Sequence, residues 1–116
     1  MKDVRITSMK QTVHHALIER YENPIENACN MQVGQVFIAK GGEKPEGLCD
    51  SAWESMETFV KTLAQGGGHF YDGWMKNPYA AMISCNDGFR PMSFLLEAVE
   101  DNSGTGAHDK PPADTR

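Results

Sequence analysis

Past residue 50, apolar side chains recur at helical spacing: Trp53, Met56, Phe59, Val60, Leu63 and Ala64 stand at i, i+3, i+6, i+7, i+10 and i+11. One stripe of that period is the signature of an amphipathic helix, with one face for a core and one for water. Glu54, Glu57, Thr58, Lys61 and Thr62 fall mainly on the other side. Ser51 and Glu54 have the S-x-x-E spacing of a capping box, and Gly66-Gly67-Gly68 offers the left-handed residue that ends a helix. The pattern predicts a helix over 51–65.

Elsewhere the period drops to two. Residues 2–9 alternate, with Val4, Ile6 and Ser8 on one side and Arg5, Thr7 and Met9 on the other, as in a half-buried strand. A short helix over 12–21 follows, capped by Thr12, carrying Val13, Ala16, Leu17 and Tyr21, and stopped by Asn23-Pro24. Residues 25–32 show no period. Residues 33–40 read as a second strand, Val36 and Ile38 facing away from Phe37 and Ala39, with a Gly41-Gly42 turn behind it. Residues 69–78, rich in aromatics, read as a loop folded back on the body. Residues 80–85 and 89–99 form a strand pair around Asp87-Gly88, a two-residue hairpin turn that sets Cys85 opposite Arg90, Ile83 opposite Met92 and Ala81 opposite Phe94. Pro91, which lacks a ladder donor, belongs at an edge or a non-bonded position.

Together these elements predict an α+β domain over residues 1–100: a small, mostly antiparallel sheet covered on one face by two helices, in the order β-α-β-α-β-β. Residues 101–116 are nearly all polar, and read as a disordered tail. At 116 residues with 40% hydrophobic and 23% charged content, the composition is that of one ordinary globular domain. A net charge of −5 leaves no basic stripe to neutralise phosphates, which argues against nucleic acid as a partner. No apolar run reaches spanning length and no signal segment opens the chain, so the expected partners exclude a membrane and the expected location is cytoplasmic.

Candidate chemistry centres on three widely spaced cysteines, Cys29, Cys49 and Cys85, an odd number that does not form a disulfide framework. Cys49 lies just ahead of the predicted helix, where free N–H groups and the helix dipole favour a thiolate. Cys85 has Arg90 as its expected cross-strand neighbour, a cation with the same effect. If the fold gathers all three, they are candidate metal ligands suited to zinc or an iron–sulfur cluster, with His69 as a fourth. There is no C-x-x-C pair, and the alternative is three cysteines packed as small hydrophobes. His14-His15 diverge by about 100° on a helix and do not converge on a metal. The glycine triplet follows a helix rather than opening one, so it reads as a C-cap and not a phosphate loop. Glu46, Asp50, Asp72 and Asp87 stand at turns and caps where acidic residues are expected in any case.

Pro45-Glu46-Gly47-Leu48-Cys49 with Ala52-Trp53, and Cys85-Asn86-Asp87-Gly88-Phe89-Arg90-Pro91-Met92-Ser93-Phe94, resemble a family of short uncharacterised prokaryotic proteins. Its members share P-E-G-[LF]-C-x-x-A-W, a later C-x-D-G-x-R-P-[VI]-x-F, and an upstream cysteine before a V-G-x-x-F segment, here Cys29 with Val33-Gly34-Gln35-Val36-Phe37. Asp50 stands where a proline often follows the second cysteine, and Met92 replaces valine. The resemblance covers residues 2–99 and implies a compact domain with three recurring cysteines, but no reaction. The first functional expectation is therefore a cytosolic thiolate site: Cys49 and Cys85 as reactive or metal-ligating groups, Cys29 as the third, Arg90 as electrostatic partner. The alternative is a non-catalytic interaction module or homo-oligomeric subunit that binds through Phe70, Tyr71, Trp74 and Tyr79.

Overall fold

The computed structural model describes residues 1–24 and 32–99. Strand β1 (Asp3–Gln11) is followed by helix α1 (His15–Tyr21), β2 (Val36–Ala39), a 3-10 turn (Lys40–Gly42), helix α2 (Asp50–Ala64), β3 (Ala80–Ser84) and β4 (Met92–Val99). The strands form one fully antiparallel sheet in the order β2-β1-β4-β3, so the fold is α+β as expected. The expected tail, Cys29 and most of the aperiodic stretch over 25–32 lie outside the described residues.

The helical stripe does what its spacing predicts. Met56, Val60, Leu63 and Ala64 are buried against Val4, Ile6, Ala39, Ala81, Met92, Phe94 and Leu96, with Trp53 and Phe59 packed at the margin. Removing a large side chain of this kind from water contributes about 1.5–3 kcal/mol. The start of α2 differs from the capping-box expectation. The helix begins at Asp50, Cys49 is its N-cap, and no side chain caps it. The backbone is already committed one residue earlier, because the Trp53 N–H bonds the Cys49 carbonyl at 3.0 Å. What sets the approach is apolar: Leu48 ahead of the cap and Trp53 in the first turn both join the core, the arrangement of a hydrophobic staple. The far end follows expectation. Gly66 (φ +92°) donates to Leu63 and Gly67 donates to Thr62, at 3.0 and 2.9 Å, a Schellman stop that satisfies two late carbonyls.

Along β1, Val4, Ile6 and Ser8 face the core as the alternation predicts. Ser8 is 1% exposed, and its buried hydroxyl is satisfied on both sides: Oγ donates to the Gln32 carbonyl (2.6 Å) and accepts the Gln35 N–H (2.9 Å). The chain therefore wraps around Ser8 through residues 32–35, and β2 becomes regular only at Val36. A register shift between Ser8 and Lys10 leaves Met9 as the extra residue of a bulge.

Helix α1 is shorter than expected. Thr12 and His14 still donate to the carbonyls of Pro91 and Phe89 (3.0 and 2.9 Å), so the chain stays extended to His14 and the helix starts at His15. No α1 residue is buried, so of the two described helices it is α2 that covers the inner face of the sheet.

The β3–β4 turn is also not the tight Asp-Gly hairpin. Asp87 Oδ1 accepts the N–H groups of Phe89 (2.8 Å) and Arg90 (3.2 Å), turning the chain through a side chain rather than through two positive-φ residues. Pro91 cannot donate, and strand pairing resumes at Met92. The register is two residues from the expected one: Ala81 faces Leu96, Ile83 faces Phe94 and Ser84 faces Ser93. A shift of two preserves which face each side chain takes, so Ala81, Met92, Phe94 and Leu96 remain in the core.

Candidate functional site

Cys49 is exposed and Cys85 half-buried, both as free thiols. Cys85 packs against the core, its N–H donates to the Met92 carbonyl (3.1 Å), and its Sγ accepts the Met92 N–H (3.4 Å). The expected Cys85–Arg90 pair is overturned by the register. Cys85 stands across from Met92, and the Arg90 guanidinium bonds Glu22 in a two-pronged pair, Nη1 to Oε2 at 3.1 Å and Nη2 to Oε1 at 2.6 Å, with Asp87 Oδ2 at 3.8 Å. Two carboxylates hold a guanidinium through charge-assisted hydrogen bonds, the strong class of such contacts.

Among the described residues no three His, Cys, Asp or Glu side chains are gathered to hold a metal ion. Cys29, the third member of the expected site, lies outside them. His69 is exposed and edge-on to Tyr79 (5.3 Å). Of the candidate carboxylates, Asp87 is spent on its turn, and Asp50, wide open to water, pairs with Lys44 (3.3 Å).

Most residues of the two sequence motifs have architectural work. Pro45, Leu48 and Ala52 are buried, Trp53 lines the core, Asp87 and Arg90 hold the turn, and Phe94 is a central core side chain. Sequence reasoning missed Glu22 as the partner of Arg90, since 68 residues separate them and nothing local signals the pair. It also missed Arg5–Glu97 (3.0 Å), which joins β1 to β4 on the outer face of the sheet.

The aromatic loop between α2 and β3 is the most elaborated feature outside the core. Its neck is closed where the His69 N–H meets the Pro78 carbonyl at 2.7 Å. Phe70 anchors it, edge-on to Phe59 of α2 at 5.0 Å. On either side of that anchor the backbone takes positive φ, at His69 (57°) before it and at Tyr71 (50°) and Asp72 (49°) after it. Each left-handed non-glycine residue costs on the order of 1 kcal/mol, and a run of them needs support from its surroundings. The support is aromatic: Tyr71 lies 6.4 Å from Phe59 and edge-on to Trp74 at 5.1 Å. Tyr71 is nonetheless 71% exposed, and Trp74 and Tyr79 are 42% and 45% exposed. Phe70 is thus the foot of the loop, and Tyr71, Trp74 and Tyr79 are its presented surface.

No helix among the described residues is long and apolar enough to cross a membrane. No family model, no curated protein and no solved structure matches the chain. The likeness carried by the P-E-G-L-C and C-N-D-G-F-R-P segments therefore rests on those residues alone.

Proposed function

We propose that this chain is a non-catalytic interaction module whose docking surface is the aromatic loop over residues 69–79. One observation carries the reading: in a loop with three positive-φ side-chain-bearing residues, Tyr71 and Trp74 lie edge-on to each other and open to water. Tyrosine and tryptophan bring large contact area with few rotatable bonds, which is why they are enriched where interfaces derive their energy. The core does not need these rings, and leaving them in water is unfavourable unless a partner covers them. The test is capture and sizing of the full chain beside a Tyr71→Ala/Trp74→Ala double variant that keeps the wild-type circular dichroism. Loss of the bound species in the variant, whether a copy of the chain or another protein, is the expected result. Binding that survives both truncations overturns the reading.

A second reading keeps the thiol site, on one observation: Cys49 is exposed at the N-cap of α2 and its side chain makes no capping bond. In that reading Cys49 is the reactive or metal-ligating group and Cys29 and Cys85 are its partners, with zinc or an iron–sulfur cluster as the cofactor. Metal content and visible absorption of anaerobically purified protein test it, and a colourless, metal-free protein with unreactive thiols removes it.

A further inference from the structure

Among the described residues, strand β3 is an edge of the sheet, paired on one side only, by β4. The Cys85 N–H bonds the Met92 carbonyl and the Ala98 N–H bonds the Tyr79 carbonyl. Residues 79, 81, 83 and 85 therefore turn their peptide groups toward β4. By the alternation of an antiparallel ladder, Ala80, Met82 and Ser84 turn theirs away from the sheet. Ala80 is 2% exposed, which closes that end of the edge, while Met82 and Ser84 are open. None of the described residues gives a hydrogen bond to the outward groups of these two.

A protected edge carries lysine, proline or an inward-pointing charge. From Tyr79 to Asn86 there is no charged residue and no proline. Met82 adds an exposed apolar side chain on the outer face, in line with Leu95, Thr7 and Val36 across the four strands. The other edge, β2, is only four residues long and runs straight into Lys40.

We propose that the chain forms a two-fold dimer by antiparallel pairing of β3 with β3 of a second copy, Met82 and Ser84 lying against Ser84 and Met82 of the partner subunit. The occupant follows from the edge itself. Two-fold antiparallel pairing sets each outward N–H of residues 82 and 84 against an outward carbonyl of the same two residues, so the strand is its own complement. Two chains of charge −5 repel at long range, and contact through an uncharged stretch avoids setting like charges face to face. Met82 of each copy then lies beside Ser84 of the partner subunit on the outer face of one eight-stranded sheet. A strand edge this short falls below the roughly 1,000 Å² of a stable interface. Exposed Trp74 and Tyr79, in the chain just before β3, are the aromatic surface available to extend it. In this respect the inference rests on the aromatic docking surface and names its partner.

Sedimentation velocity of the full chain decides it. The wild type is expected to run at twice its 12.9 kDa chain mass. Ser84→Pro removes an outward N–H and no bond to β4, and is expected to weaken dimerisation roughly tenfold or more with an unchanged circular dichroism spectrum. Met82→Lys, on an exposed side chain, is expected to do the same and serves if the proline variant does not fold. A wild type that is monomeric at every concentration overturns the dimer, and leaves the aromatic surface to be judged by capture of another protein. A dimer that survives Ser84→Pro or Met82→Lys but dissociates with Trp74→Ala overturns the strand pairing and keeps the aromatic contact.

Discussion

Arg90, in the β3–β4 turn, grips Glu22, one residue past α1, through both terminal guanidinium nitrogens at 2.6 and 3.1 Å. Side-chain exposures of 20% and 14% make this a partly desolvated pair and not a surface contact. Helix α1 contributes no buried residue, so this pair and the backbone bonds of Thr12 and His14 hold that end of the chain.

Replacing Arg90 with alanine leaves Glu22 half-buried without its fork, and is expected to cost roughly 1–3 kcal/mol. Arg90→Lys keeps the charge but loses the two-pronged geometry, and is expected to recover only part of that. Hydrogen exchange read by mass spectrometry checks it. Residues 15–21 should lose protection first while α2 stays protected; equal loss in both helices would show that the pair does not act locally.

The thiols separate by access. Cys49 is exposed, whereas Cys85 is packed against the core with its sulfur accepting the Met92 N–H. A maleimide is expected to modify Cys49 in the native protein well ahead of Cys85, with the two becoming equivalent in denaturant. Peptide mapping of a labelling time course gives the order, and Cys85 labelled first would contradict the packing.

Gly68 sits at the neck of the aromatic loop, where an added Cβ would overlap the Pro78 carbonyl oxygen and crowd the Tyr79 ring. Because the obstacle is backbone, Gly68→Ala is expected to cost roughly 1–3 kcal/mol and to disturb the loop beyond it. Gly66→Ala meets no neighbour and is expected to cost about 1 kcal/mol through its positive φ alone. Thermal melts of the two variants rank them; equal melting temperatures would mean that the neck opens freely.

Phe94, fully buried at the centre of β4, should cost about 3–5 kcal/mol when cut to alanine. Val36, 56% exposed on the edge strand, should change stability by less than about 0.5 kcal/mol. Urea unfolding of both variants measures the contrast, and a small loss at Phe94 would place the core elsewhere.

How much of this was legible along the chain depends on the range of the force responsible. The α2 stripe, the alternation of β1 and the Gly66 stop are periodic or local signals, and each was readable. The β3–β4 register was not, because Asp-Gly is a strong turn signal locally, yet the Asp87 carboxylate captured two amides and Pro91 delayed the ladder. The capping box failed for a similar reason, since Leu48 and Trp53 set the start of α2 from the core side. The expected Cys85–Arg90 partnership fell with the register. Tyr71, Trp74 and Tyr79 were visible as residues, but not the positive-φ backbone that presents them.

The order of residues by itself determined the α+β class and which face of α2 and of β1 meets the core, because burial follows a period of 3.6 or 2 whatever the neighbours are. Only the tertiary structure decided who those neighbours are. Glu22 rather than Cys85 receives Arg90, the described residues leave the strand edge at Met82 and Ser84 open, and the aromatic ring pair faces water. Each depends on contacts between residues far apart in the chain, and such contacts leave no periodic trace.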